Sequence, residues 1–164
     1  MAVFERFSCT DEVAGIIAEQ VVDIELHGEH FGGMSRALSI ARMVQEAPRQ
    51  PTSITLDAPN IIRLDGGNTS GYMVAQKATM AAIEKTKATG VGLGMANNTF
   101  FTGQFSHHIE MATRQHLVAI ARGASASDVA PMAHWKAAWA RTPSPSASRT
   151  PGEPVIVDKA PPPS

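Results

Sequence analysis

Residues 64–99, LDGGNTSGYMVAQKATMAAIEKTKATGVGLGMANNT, decide how the rest of the chain is read. A glycine-rich turn at Asp65-Gly66-Gly67-Asn68 leads through Gly71 into a segment whose apolar residues Val74, Ala78, Ala81 and Ala82 fall at helical spacing. Lys77, Glu84, Lys85 and Lys87 lie mostly off that stripe, as the solvent side of an amphipathic helix requires. Gly90 follows the lysine-bearing last turn as a C-terminal stop, and Val91, Leu93 and Met95 then alternate with glycines as a strand does. The unit reads turn, helix, strand.

Toward the N-terminus, Ser8, Thr10 and Asp11 offer capping groups for a helix carrying Val13, Ile16, Ile17, Val21 and Ile24. A glycine-punctuated loop with His27 and His30 follows, and Ser35 then caps a second helix through Leu38, Ala41 and Val44, ended by Pro48 and Pro51. Two β-prone runs, 52–56 and 61–64, flank an Asp57-Ala58-Pro59-Asn60 turn and predict a hairpin. His27 and His30 form an H-x-x-H pair, but no third ligand stands at a metal-binding spacing, so no metal site is expected.

Toward the C-terminus, residues 97–103 read as a polar and aromatic loop. A helix with Phe105, Ile109, Ala112 and His116 on one side and an apolar strand at 117–121 come next. Strand, loop, helix and strand over 91–121 make a βαβ unit, whose strands pair in parallel and whose ligands sit beyond the strand C-termini, after Met95 and after Ala121. Trp135 and Trp139 stand at i and i+4, either as an association surface or as a helix packing its own core. From Arg141 onward seven of the eleven prolines occur among serines, alanines and threonines, a composition that buries too little to fold alone, interrupted by one short strand at 155–158. The expected parts are 1–70, helical with the hairpin; 71–140, containing the βαβ unit; and 141–164, the tail.

The bulk numbers exclude several classes. The 164 residues are 43% hydrophobic, enough for one ordinary core, and 14 basic against 15 acidic side chains give no field for nucleic acid or an anionic membrane. Cys9 is alone, no apolar run is long enough to span a bilayer, and the N-terminus MAVFERFSC lacks a signal-peptide core. A cytoplasmic protein is expected.

The stretch 64–99 resembles the type 2 malate/L-lactate dehydrogenases, a family that includes ureidoglycolate, sulfolactate and diketogulonate oxidoreductases and a cyclic imino acid reductase. Asp65, Gly66, Gly67, Asn68, Gly71, Ala75, Ala82, Ile83, Lys85, Gly90, Val91, Gly92 and Asn98 match the family's DGGxGxGxxxAxxAmxxAIxKAxxxGVGxxxxxNS. The resemblance covers nearly all of the chain but about half of a family enzyme. It implies an α/β fold with a helical N-terminal region and a partial βαβ nucleotide-binding-like unit. It also implies an NAD- or NADP-dependent oxidoreductase reducing a 2-keto or cyclic imino carboxylate to the 2-hydroxy or amino acid.

Residue by residue, the family's histidine loop matches in two registers. One uses His27, Gly33 and Met34 and puts the catalytic histidine on His30; the other uses Gly28, Gly33 and Arg36 and puts Gly32 there. The first is preferred, because an imidazole suits the proton that accompanies hydride transfer. In the family's RNSxHxG motif, Asn98 and Gly103 match while Phe101 occupies the histidine position, and His107 and His108 read as a solvated pair at a helix start. In NTSPSxAPxGG, Ser125 and Pro131 match and Ala133 and His134 replace the glycines, while VLDMA matches around Asp158. The resemblance thus implies His30 as acid and Ser125, Gly103 and Asp158 on the cofactor; separately, Arg36 or Arg42 near the histidine loop suits a substrate carboxylate, because a guanidinium pairs with it bidentately. Gly90, Gly92 and Gly94 do not complete a G-x-G-x-x-G site. A homo-oligomer, or a partner carrying the remaining half, is expected. The alternative is a catalytically inactive, truncated relative that serves as a subunit or has no independent role.

Overall fold

The computed structural model describes residues 11–28, 33–46 and 50–124, with short strands at 127–129, 139–140, 146–148 and 155–157. The chain divides into two compact units, Met1–Gln104 and Phe105–Ser164. In the first, helix α1 (Asp11–Leu26) is followed by a 3-10 turn (Met34–Arg36) and helix α2 (Ala37–Glu46). Strands β1 (Ser53–Ala58) and β2 (Ile61–Ser70), helix α3 (Gly71–Thr89) and strand β3 (Leu93–Phe100) complete it. The second holds helix α4 (Phe105–Thr113) and strands β4 (Ala119–Ile120), β5 (Ser127–Val129), β6 (Trp139–Ala140), β7 (Ser146–Ser148) and β8 (Val155–Val157).

β1 and β2 form the expected antiparallel hairpin, with Ala58 opposite Ile61, and β2 pairs in parallel with β3, Ile62 opposite Gly94. The parallel pair is therefore β2–α3–β3. The unit expected over 91–121 does not form, since β3 and β4 belong to different sheets and β4 pairs antiparallel with β7. The crossover between β2 and β3 runs through the 19 residues of α3, longer than the dozen or more that a parallel connection needs. Residues 97–100, expected as loop, continue β3.

One face of this sheet is covered by α3, which buries Val74 and Ala78 against Ile62 and Leu64. Val74, Ile62 and Leu64 each contribute roughly 1.5–3 kcal/mol by burial. The helix lies so close that a Cβ on Gly94 would overlap the Ala78 carbonyl oxygen, and one on Gly92 the Ala82 carbonyl oxygen. Gly90 ends the helix at φ 86° with its N–H on Thr86 O, as its position in the sequence predicts. Lys85 pins the far end to the hairpin, its Nζ donating to Asp57 Oδ1 and to Ala58 O, each at 2.6 Å. Leu56, Leu93 and Met95 remain exposed, and Ile54 is 60% exposed.

A second cluster joins α1 and α2 through Ile17, Val21, Ile40, Ala41 and Val44, and Tyr72 enters it from the start of α3. Leu38, expected on the buried side of α2, is exposed, because Ala37 and Ile40 take that face. In the second unit α4 buries His108 and Ile109, and β7 and β8 pair antiparallel. His108 is 4% exposed, which corrects the expected solvated pair; the two imidazoles meet edge to face, 5.5 Å between centroids. Trp139 lies in a strand opposite Val129, not on a helix, and Trp135 lies outside the described residues. No helix among the described residues is long and apolar enough to cross a membrane.

Gly94→Ala is expected to lower stability to urea by about 1–3 kcal/mol, because the obstructing atom is helix backbone and cannot rotate away. An unchanged unfolding midpoint would mean that α3 is not held at this distance.

Candidate functional site

β2 carries two more residues than β3 where they pass: Asp65 pairs with Asn97, and the next pairing is Thr69 with Thr99. The surplus is absorbed at Gly67 and Asn68, at φ 61° and 58°, and β3 answers with Asn98 at φ 54°. Glycine and asparagine are the residues that tolerate this left-handed region. What the sequence presents as a glycine-rich turn is therefore a bulge inside a strand. The Asp65 carboxylate closes it, Oδ1 accepting from the Gly67 N–H at 2.8 Å and from Asn98 Nδ2 at 2.9 Å. The Gly67 N–H and then the Asn98 amide hold the Asp65 carboxyl below the usual carboxylate range, against a small opposing effect of burial. On the other side Gln50 N–H donates to Gly67 O at 2.8 Å, so close that no side chain fits at residue 67.

This crossing directs β2 into α3 and β3 into the segment 101–104. A Cβ on Gly71 would stand 2.8 Å from Phe101 O, so helix start and segment are in contact. Phe101 is half-buried at φ 41°, and the Arg36 guanidinium lies 5.1 Å from its ring centroid, within cation–π range. Gly103, at φ 77°, faces Tyr72 and Gln20: an added Cβ would be 2.6 Å from Tyr72 Cε1 and 2.9 Å from Gln20 Oε1. Arg36 and Gly103 are thereby brought to one place, around Phe101 and Tyr72. Burial pushes the Tyr72 phenol pKa up, and the nearby positive charge of Arg36 works in the opposite direction.

His30, Ser125 and Asp158 lie outside the described residues. The flanks of the histidine loop are defined. His27 closes α1, its Nδ1 on Asp23 O at 2.8 Å, and Met34 N–H donates to Glu25 Oε2 at 2.9 Å. No group of three His, Cys, Asp or Glu side chains suited to a metal occurs among the described residues. Two residues of this region escape a reading from motifs, Gln20 and Tyr72. Gln20 does leave a signal, for it stands on the buried stripe Ile17, Gln20, Val21, Ile24, where an apolar residue is the expectation. Tyr72 is the single tyrosine of the chain and directly follows Gly71.

Residues 1–161 match the model of the malate/L-lactate dehydrogenase family. The chain belongs to that family. The malate dehydrogenase of Pyrococcus abyssi is 26% identical over 163 residues, which is 96% of this chain and 44% of that protein. Two solved structures superpose with it. The malate dehydrogenase of Pyrococcus horikoshii does so with a TM-score of 0.87 at 24% identity, over 97% of this chain and 47% of that one. The sulfolactate dehydrogenase of Methanocaldococcus jannaschii does so with a TM-score of 0.86 at 25% identity, with the same coverage of 97% and 47%. This family member thus spans somewhat under half the length of these relatives, and the helical N-terminal region with its partial βαβ unit is the family fold.

Because the folded-state pKa of Asp65 is below its unfolded value, the carboxylate stabilises this family fold fully above roughly pH 5, and that contribution is lost as pH falls through the folded pKa. Asp65→Asn should therefore flatten the acid limb of a stability–pH profile measured by urea unfolding. A profile falling as steeply as the wild type's would assign the acid sensitivity to other carboxylates.

Proposed function

We propose that the chain is the substrate-side part of an NAD- or NADP-dependent oxidoreductase that interconverts a 2-keto or cyclic imino carboxylate with its 2-hydroxy or amino acid. The observation that carries this reading is the family match over residues 1–161, joined to the position of Arg36 on the segment that follows β3. Ligands of parallel α/β sheets gather beyond the C-terminal ends of the strands, which is where this segment lies. Arg36 pairs with the substrate carboxylate through its planar fork, and His30 exchanges the proton at the C2 oxygen or imine nitrogen. Phe101 has no proton to move, which leaves this task to His30.

The described residues fit such a ligand in two respects: Gly103 turns the backbone at φ 77° beside a guanidinium, and the buried Gln20 amide supplies polarity behind it. By the family resemblance, Gly103 through its backbone, with Ser125 and Asp158, would hold the dinucleotide, whose nicotinamide would supply the hydride.

The exposed apolar side chains Ile54, Leu56, Leu93 and Met95 favour a second reading, in which the chain is a catalytically inactive subunit whose open sheet face meets another copy or a partner. On this reading its mass, measured by sedimentation, rises with concentration, while nucleotides leave its melting temperature unchanged.

Titration with NADH and NADPH, following nucleotide fluorescence and thermal stability together, separates the two. At about 100 times Kd a bound nucleotide stabilises by about 2.7 kcal/mol. A saturable shift, with turnover lost in His30→Ala and nucleotide binding kept, is the expected result. A flat response to both nucleotides at millimolar concentration overturns the oxidoreductase reading for this chain.

A further inference from the structure

Gln20 is 1% exposed, and neither Nε2 nor Oε1 has a hydrogen-bond partner among the described residues. An unpartnered buried amide costs roughly 1–3 kcal/mol, whereas leucine at the same point of the stripe would bring no such cost. The amide therefore stands there at the expense of stability, which is the mark of a functional position. Its surroundings are defined. Oε1 faces Gly103, two residues beyond the ring that carries Arg36, and Tyr72, 2% exposed, lies edge-on against the same glycine. Phe101, Thr102 and Gly103 are half-buried, so the segment packed on the amide is itself at the surface.

We propose that Gln20, with Tyr72 beside it, is the specificity-determining contact for the neutral C2 oxygen of an α-oxo or α-hydroxy carboxylate whose carboxylate rests on Arg36. The proposal rests on the reading of Arg36 given above. The chemistry selects this ligand class. Arg36 offers only donors and a positive charge and suits the carboxylate. A carboxamide offers a donor and an acceptor on one neutral group. Its Nε2–H donates to a keto oxygen, and its Oε1 accepts from a hydroxyl, so the same side chain serves both oxidation states without itself gaining or losing a proton. A plain carboxylate lacks the group at C2 that this amide would read.

The test compares pyruvate and lactate with propionate, which has the same carbon skeleton and no C2 oxygen. Binding to the full chain is followed calorimetrically, with and without saturating NADH. The wild type is expected to favour pyruvate and lactate over propionate by on the order of tenfold, the worth of about one hydrogen bond. Gln20→Leu should bring that ratio close to one while propionate affinity stays unchanged and resistance to urea rises. The side-chain amide resonances of Gln20 in ¹⁵N-labelled wild-type protein give the same answer without a variant: they should shift with pyruvate and stay in place with propionate. If pyruvate binds and Gln20→Leu keeps the preference, or the amide resonances do not move, the proposal is overturned and the carboxylate role of Arg36 stands. If NADH binds but none of the three acids does, the proposal and the role of Arg36 fall together, and the nucleotide reading survives.

Discussion

The carboxylate of Asp65 carries the constraint on which the first unit depends. Two strands of unequal length can run in parallel past one another only if the surplus residues of the longer one are folded out and held. Here one oxygen accepts from the Gly67 N–H of the bulge and from the Asn98 side chain of the neighbouring strand, so bulge and strand pairing are closed by the same atom. The geometry on either side follows from that closure. Gly66 has no space for a side chain beside Thr99, and Gly67 has none beside Gln50. Gly71 has none beside Phe101. The position of α3 on the sheet and the course of residues 101–104 are consequences of this crossing.

That account changes what the family-matching residues mean. Asp65, Gly66, Gly67, Asn68, Gly71, Gly90, Gly92 and Lys85 each have a mechanical task in the structure, in the bulge, the helix stop, the close helix–sheet approach or the pin to the hairpin. They specify a fold, and family membership follows from them. The residues proposed for chemistry stand at other positions, and there this chain departs from the family's pattern, with Phe101 where a histidine is expected.

Local structure was legible wherever it has a local cause. Helix α3 and its stop at Gly90, the hairpin around Pro59 and Asn60 and the strand at 155–157 all follow from spacing and turn residues. Pairing was not legible, because alternation marks a strand without saying which neighbour it takes; β2 rather than β4 completed the parallel pair. The double glycine was misread for a related reason, since turns and bulges draw on the same residues and differ only in what the chain does afterwards. His108 and Trp139 went astray because a polar or aromatic residue near a helical pattern reads equally well from either side of the surface. Arg36 and Gly103 each stand out in the sequence, but their meeting at Phe101 and Tyr72 depends on the crossing and has no signature along the chain.

Of the residues proposed for the dinucleotide, Gly103 lies in the same unit as those proposed for the substrate. Arg36, Gln20 and Tyr72 all belong to the unit that ends at Gln104, whereas Ser125 and Asp158 fall in the sequence of the unit that begins at Phe105. The first group is held by contacts within its own unit: Tyr72 by the cluster of α1 and α2, Gln20 by the buried stripe of α1, Arg36 by the Phe101 ring. Its geometry is thus supplied by packing that a nucleotide does not have to bring. On the proposed reading, recognition of a small carboxylate would be a property of the first unit's own core. The replacement of the motif histidine by Phe101 removes a proton donor from that core and leaves a ring face on which a guanidinium rests. On the proposed reading such a site would hold an oxo acid through Arg36, and the proton for its reduction would come from His30.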